Sequence, residues 1–194
     1  MTEVALLRHF PTDWNAAGRL QGRTDVPLSA ASRAALAGLR LPPRWRGARV
    51  VASPLGRAVE TAAALAAGPV AVDARLIEMD FGDWEGVEGA ALLADPASGY
   101  GPVEGWGMGF RPPGGESVAE MTARVGALLA ELAGGPDAVL VTHRGVMRAA
   151  LGLATGWRWL GPEPFRIRRG RLHPLVLGDG GPVPGGPAEA LEGR

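Results

Sequence analysis

The chain has 194 residues, 46% of them hydrophobic, with 20 basic and 20 acidic groups and no cysteine. Every basic residue other than three histidines is arginine, so disulfides, thiolate metal centres, a thiol nucleophile, the lysine-bearing phosphate loop and Schiff-base chemistry are all excluded. A net charge of zero argues against nucleic acid or an anionic membrane as the main partner. In chain order, Val4–Leu7 is a short apolar run that stops at Arg8-His9, as a strand buried on both faces does. Ala30–Arg40 reads as a helix behind Ser29, and Ala48–Ala52 as a second strand. Leu55–Ala67 places Leu55, Ala58, Val59, Ala62 and Leu65 on one helical face, with Ser53 as its cap and Pro54 at the first helical position. Val70–Val72 is a weaker strand. Ser117-Val118-Ala119-Glu120 is a capping box that opens a helix to about Ala133. A third main strand, Ala138–Val141, precedes a helix from Gly145 to about Leu153, and 165–177 holds one or two closing strands. Alternating strands and helices predict an α/β domain with a mostly parallel sheet.

Two stretches escape this pattern. Residues 96–115 are rich in Gly and Pro with Tyr100, Trp106, Met108 and Phe110 interleaved, which reads either as a surface excursion or as a lid. Residues 178–194 are Gly/Pro-rich and poor in apolar residues, and read as a disordered tail. No run is long and apolar enough to span a bilayer and no signal peptide is visible, so a cytoplasmic chain is expected.

Chemistry-bearing residues gather at the predicted strand ends, where open α/β sheets bind ligands. Arg8 and His9 follow the first strand, Ser53-Pro54-Leu55-Gly56-Arg57 the second, and His143 the third. Guanidinium forks, imidazoles and a helix N-terminus suit a phosphate group. A neutral imidazole there can be a nucleophile, and the cluster Glu78, Asp80, Asp83, Glu85 offers a proton donor for a leaving alkoxide. Each piece also has a plain structural reading. Arg57 could pair with Glu60 at i,i+3, the acidic cluster could be a solvated loop, and His173 reads as structural or exposed.

Taken together, the motifs resemble the histidine phosphatase superfamily, the phosphoglycerate mutase-like proteins. They are Leu7-Arg8-His9-Phe10-Pro11-Thr12, Leu20-Gln21-Gly22-Arg23, Ser53-Pro54-Leu55-Gly56-Arg57, Leu76-Ile77-Glu78-Met79-Asp80-Phe81-Gly82-Asp83-Trp84-Glu85-Gly86, Gly114-Gly115-Glu116-Ser117 and Val141-Thr142-His143-Arg144-Gly145. The resemblance implies a three-layer α/β/α sandwich, phosphoglycerate mutase-like, as a single domain over residues 1–177. It implies a metal-independent phosphomonoesterase that needs no cofactor and acts on a small-molecule phosphate ester. His9 would form a phosphohistidine; Arg8, Arg57 and His143 would hold the phosphoryl oxygens; Asn15 would add a hydrogen bond. Glu78 would serve as acid and base, with Asp80 and Glu85 in reserve, and Gln21 and Gly22 would line the substrate side.

Two positions depart from the family. Phe10 stands where Gly is usual, and its side chain is expected to shape the pocket. Arg144 replaces the Gly usual after the second histidine, where it would either depress the histidine pKa values or contact an anionic substrate. The branch resembled most is that of small phosphatases, including α-ribazole phosphatases, which makes α-ribazole 5′-phosphate a candidate substrate. A phosphoglycerate mutase-type transfer and a non-catalytic phospho-ligand binder are the alternatives.

Overall fold

A computed structural model describes residues 1–193. β1 (Thr2–Arg8) lies inside the sheet because it is apolar on both faces: Val4 and Leu6 enter one core cluster, Ala5 and Leu7 the other. The later strands are β2 (Leu39–Arg40), β3 (Arg49–Ala52), β4 (Val70–Val72), β5 (Ala138–Thr142), β6 (Arg171–Gly178), β7 (Gly181–Pro184), β8 (Glu189–Ala190) and β9 (Glu192–Gly193). Seven of the nine form one sheet in the order β4-β3-β5-β1-β6-β7, with β8 also on β6. β4, β3, β5 and β1 run parallel to one another; β6 is antiparallel to β1, and β7 and β8 to β6.

The helices are α1 (Asp13–Ala16), α2 (Ala30–Ala37), α3 (Gly56–Leu65), α4 (Gly89–Ala94), α5 (Val118–Leu132) and α6 (Arg144–Thr155). α5 and α6 cover one face of the sheet through Met121, Val125, Leu128, Val146 and Met147. α2 and α3 cover the other through Leu36, Ala58, Ala62 and Leu65. The result is the expected three-layer α/β/α arrangement, each layer formed by burial of a strand face against a helical stripe. The capping box of α5 is present: Glu120 N–H donates to Ser117 Oγ at 3.1 Å, and Ser117 N–H to Glu120 Oε2 at 2.9 Å.

Three expectations need correction. The helix from Ala30 stops at Ala37 because Gly38 ends it and Leu39-Arg40 pairs with β9. The helix carrying Arg57 begins at Gly56 with Leu55 as its cap, not at Pro54 behind Ser53. Ser53 lies ahead of the helix, where its Oγ meets His143 Nε2 and also accepts the Leu55 N–H at 3.4 Å, while Asp25 accepts the Gly56 N–H at 2.7 Å. Thirdly, the stretch read as a disordered tail carries three strands. β7 and β8 extend β6, and Glu189 and Glu192 meet Arg44, Arg40 and Arg46, with Trp45 Nε1–H donating to Glu189 at 3.3 Å. Apolar periodicity could not reveal this segment because edge pairing and ion pairs hold it rather than a buried face. Arg194 lies outside the described residues.

Deletion of residues 179–194 tests these contacts. Uncovering the β6 edge and Trp45 is expected to cost about 2 kcal/mol, lowering the melting temperature by about 4–8 °C. An unchanged melting temperature would mean that the segment contributes nothing to the fold.

Candidate active site

Strand register creates the site. Arg8 pairs with Thr142 and Ala52 with Val141, so β1, β5 and β3 end at one level. His9 N–H donates to Thr142 O and Ser53 N–H to Val141 O, both at 2.9 Å, carrying the alignment one residue past the strands. His9, His143 and Ser53 therefore converge, and the imidazole centroids of His9 and His143 lie 5.0 Å apart. His9 Nδ1–H donates to the Phe10 carbonyl at 2.6 Å, which leaves the Nε2 lone pair free. Nε2 of His143 is 2.7 Å from Ser53 Oγ.

Both imidazoles are buried, and burial is the main force pushing their pKa values well below the ordinary 6.5. Arg57 adds to the effect on His9, while His9 and then Arg57 add to it on His143. Arg57 is wholly buried, and its guanidinium donates to Thr24 O at 2.8 Å and Gly22 O at 2.6 Å. Glu60, its alternative partner, pairs with Arg33 instead. Burial brings Arg8 down to about 9, with Arg169 and Arg144 contributing, so its charge persists at neutral pH. Near the site, three buried N–H groups have no hydrogen-bond partner among the described residues, Nε of Arg8, Nε of Arg57 and Nε2 of Gln21, and Nδ1 of His143 is likewise unpartnered. Unmet N–H groups of this kind are costly unless an acceptor meets them, and an anion does so.

Glu78 is the buried carboxyl of the site. Its Oε1 accepts from Met79 N–H at 2.9 Å and its Oε2 from Gly145 N–H at 3.1 Å in the first turn of α6. A Cβ at residue 145 would collide with that carboxylate, which is why Gly follows Arg144.

A cavity of about 140 Å³ opens beside His9, lined by Arg8, Asn15, Arg19, Gln21, Glu78, Met79, Phe81, Trp106, Arg144, Gly145, Arg148 and Trp159. Of the sequence candidates, Arg8, His9, Asn15, Gln21, Glu78 and Arg144 reach this cavity, while Arg57 and His143 lie buried, outside the lining. Gly22 sits behind it, where a Cβ would strike Glu85 and the Met79 carbonyl. Glu85 does not face the cavity: it accepts the backbone N–H groups of Arg23, Thr24 and Phe81 and the Thr24 hydroxyl. Burial would raise its pKa, yet these hydrogen bonds outweigh burial and lower it. Asp80 likewise points elsewhere, accepting from Gly82 N–H and pairing with Arg23 at 3.4 Å.

Phe10 does not shape the cavity. Its ring joins the core beside Leu28 and Leu36, and its φ is not positive. His173, in β6, is buried and accepts from Arg168 N–H at 3.3 Å. Of residues 96–115, Trp106 reaches the cavity lining, and it stacks on Phe110 at 4.2 Å and parallel to Trp159 at 6.0 Å. Sequence reading missed Arg19, Arg148, Arg169 and Trp159. Arg169 donates to His9 O at 3.2 Å and Asn15 Oδ1 at 3.0 Å, bracing the loop after β1. Arg148 could have been found, since it follows Arg144 by four residues on one helical face.

The model of the histidine phosphatase superfamily (branch 1) matches residues 4–184. The chain belongs to that superfamily. Among members of the superfamily, it is 36% identical over 161 residues to glucosyl-3-phosphoglycerate phosphatase of Mycobacterium tuberculosis, covering 75% of this chain and 72% of the relative. It is 34% identical over 150 residues to the probable phosphoglycerate mutase GpmB of Salmonella paratyphi C, covering 74% and 70%. A mycobacterial glucosyl-3-phosphoglycerate phosphatase solved with VO3 superposes with a TM-score of 0.74 at 31% identity, over 91% of this chain and 93% of that one.

In this histidine phosphatase fold the two buried imidazoles are neutral, whereas in the unfolded chain they take up protons near pH 6.5. Below that pH the unfolded state binds more protons, so stability falls with pH until the depressed native pKa values are reached. The slope is at most about 1.4 kcal/mol per pH unit for each histidine. Melting temperatures between pH 7.5 and 5.5 should therefore decline, and less steeply in His9→Asn. A flat profile would show that neither imidazole is held neutral.

Proposed function

We propose that the chain is a metal-independent phosphomonoesterase that hydrolyses a small phosphorylated metabolite through a phosphohistidine on His9. The observation that carries this reading is the free Nε2 of His9, held by the Nδ1–H bond to Phe10 O, together with the unpartnered buried N–H groups of Arg8, Arg57 and Gln21. In the first step Nε2 attacks phosphorus in line, the N–P bond forms, the P–O bond to the alcohol breaks, and Glu78 passes a proton to the leaving oxygen. In the second step water attacks the phosphohistidine, Glu78 takes the water proton, and the N–P bond breaks to release phosphate. Arg8, Arg57, His143, Gln21 and Asn15 carry the charge and orientation of the phosphoryl group throughout. The low pKa of His9 keeps the attacking nitrogen unprotonated at neutral pH.

A mutase is the second reading, favoured by the likeness to GpmB and by the aromatic wall that Phe81, Trp106 and Trp159 give the cavity. Such a wall could keep water from a phosphorylated enzyme while an intermediate turns. The family resemblance brings α-ribazole 5′-phosphate into the substrate panel, and the first relative above brings glucosyl-3-phosphoglycerate.

The test is phosphate release from α-ribazole 5′-phosphate, phosphoglycerates, glucosyl-3-phosphoglycerate and p-nitrophenyl phosphate in EDTA. Release should persist in the chelator and vanish in His9→Ala. Glu78→Gln should lower it by about 10²- to 10⁴-fold. Exchange between phosphoglycerate positions faster than release would identify a mutase. Binding of vanadate with no turnover of any ester would identify a binder.

A further inference from the structure

Four arginines line the cavity, and two of them are already neutralised. Arg148 is paired with Glu163 at 2.6 Å, and Arg19 donates to Gly86 O at 2.7 Å and meets Glu88 at 3.7 Å. Arg8 and Arg144 form no ion pair and make no side-chain hydrogen bond among the described residues, and of the two Arg8 has Glu78 near enough to act on its charge. They stand at two depths. Arg8 is mostly sheltered and adjoins His9, whereas Arg144 is exposed at the first position of α6.

That position is unfavourable for a cation. The amide end of a helix carries partial positive charge, and a guanidinium there opposes it. Arg144 also stands close enough to Arg8, Arg148 and Arg169 for its charge to lower the pKa of each. The main charges acting on His9 are instead Arg57, Arg8 and Arg169. Arg144 therefore crowds its fellow arginines at the cavity wall, at the expense of stability, and gains no internal partner in return. Glu78 is the only acidic side chain among the lining residues, and both of its carboxyl oxygens already accept amide N–H groups.

We propose that Arg144 is a specificity-determining residue that binds a second anionic group of the substrate, a carboxylate close to the phosphorylated carbon. This rests on the phosphomonoesterase reading and deepens it. The phosphoryl group engages the deep donors around His9, which leaves the outer guanidinium for another acceptor. Its fork geometry matches a carboxylate in a bidentate way. A cavity of about 140 Å³ favours a short acid over a second bulky phosphoryl group. The aromatic side chains Phe81, Trp106 and Trp159 offer no competing charge.

The experiment uses ester pairs that differ chiefly in the carboxylate: O-phosphoserine with O-phosphoethanolamine, and 3-phosphoglycerate with glycerol 3-phosphate. The readout is the ratio of kcat/KM within each pair, in the unaltered chain, in Arg144→Gln and in Arg144→Lys. In the unaltered chain the carboxylate ester should be preferred. Arg144→Gln should reduce that ratio by about 10- to 100-fold through KM, and Arg144→Lys should restore part of it. An equal loss within each pair would overturn the proposal, because it would make Arg144 part of the phosphate clamp alone. So would an unchanged ratio. If the unaltered chain hydrolyses none of the four esters, the ratio of their dissociation constants by calorimetry replaces kcat/KM. A carboxylate preference lost in Arg144→Gln then sustains the assignment while the hydrolytic reading falls, and no such preference overturns both.

Discussion

The site depends on the registry of three parallel strands. Because β1 and β3 both pair with β5, the residues following them emerge at one height, and backbone bonds to Thr142 and Val141 extend that alignment to His9 and Ser53. A side chain beyond a strand end cannot pack against the sheet below it, so it faces the crevice above. Two imidazoles and a serine hydroxyl thus meet without any long-range loop having to be ordered first. A slip of one residue in β1 would turn Arg8 and His9 to the opposite faces and empty Leu6 and Leu7 from their two cores. The same burial that stabilises the sheet therefore fixes the chemistry.

The second layer of the design is electrostatic. Buried cations are tolerated where carbonyl oxygens or carboxylates hold them. Arg57 leans on the carbonyls of Gly22 and Thr24, and Glu85 gathers the amides of the same loop. Glu85 is thus a staple that keeps the loop in place for Arg57, while Asp25 closes the N-terminus of α3. Carboxylates that look interchangeable along the sequence occupy separate posts because their acceptor oxygens are spent on different amides.

Much of this was legible before any coordinates. Apolar runs that stop at Arg8-His9, before Ser53 and before Thr142-His143 announced strand ends, and the motif order placed Glu78 beside them. Local rules failed where a distant partner overruled them. Ser53 has the composition of a helix cap, yet the helix begins only at Gly56 and the Ser53 hydroxyl lies beside His143. Phe10 follows a cavity residue, yet its ring turns into the core beneath. Arg169 and Trp159 lie in the irregular stretch between α6 and β6, where no periodicity aims a side chain. Trp159 also holds a positive φ of 61°, a conformation that sequence statistics assign to glycine. It is kept there by Trp106 and Trp157, whose rings stack against its own.

The start of α6 sets a tolerant position beside an intolerant one. A Cβ at Gly145 would strike the Glu78 carboxylate, whereas the side chain of Arg144 is exposed at the cavity wall. The side chain at 144 can therefore be exchanged with little penalty to packing, while position 145 stays tied to the Glu78 carboxyl. Two adjacent residues thus separate a position that packing fixes from one that is open to change, which gives a scaffold of this kind a short route to new substrates.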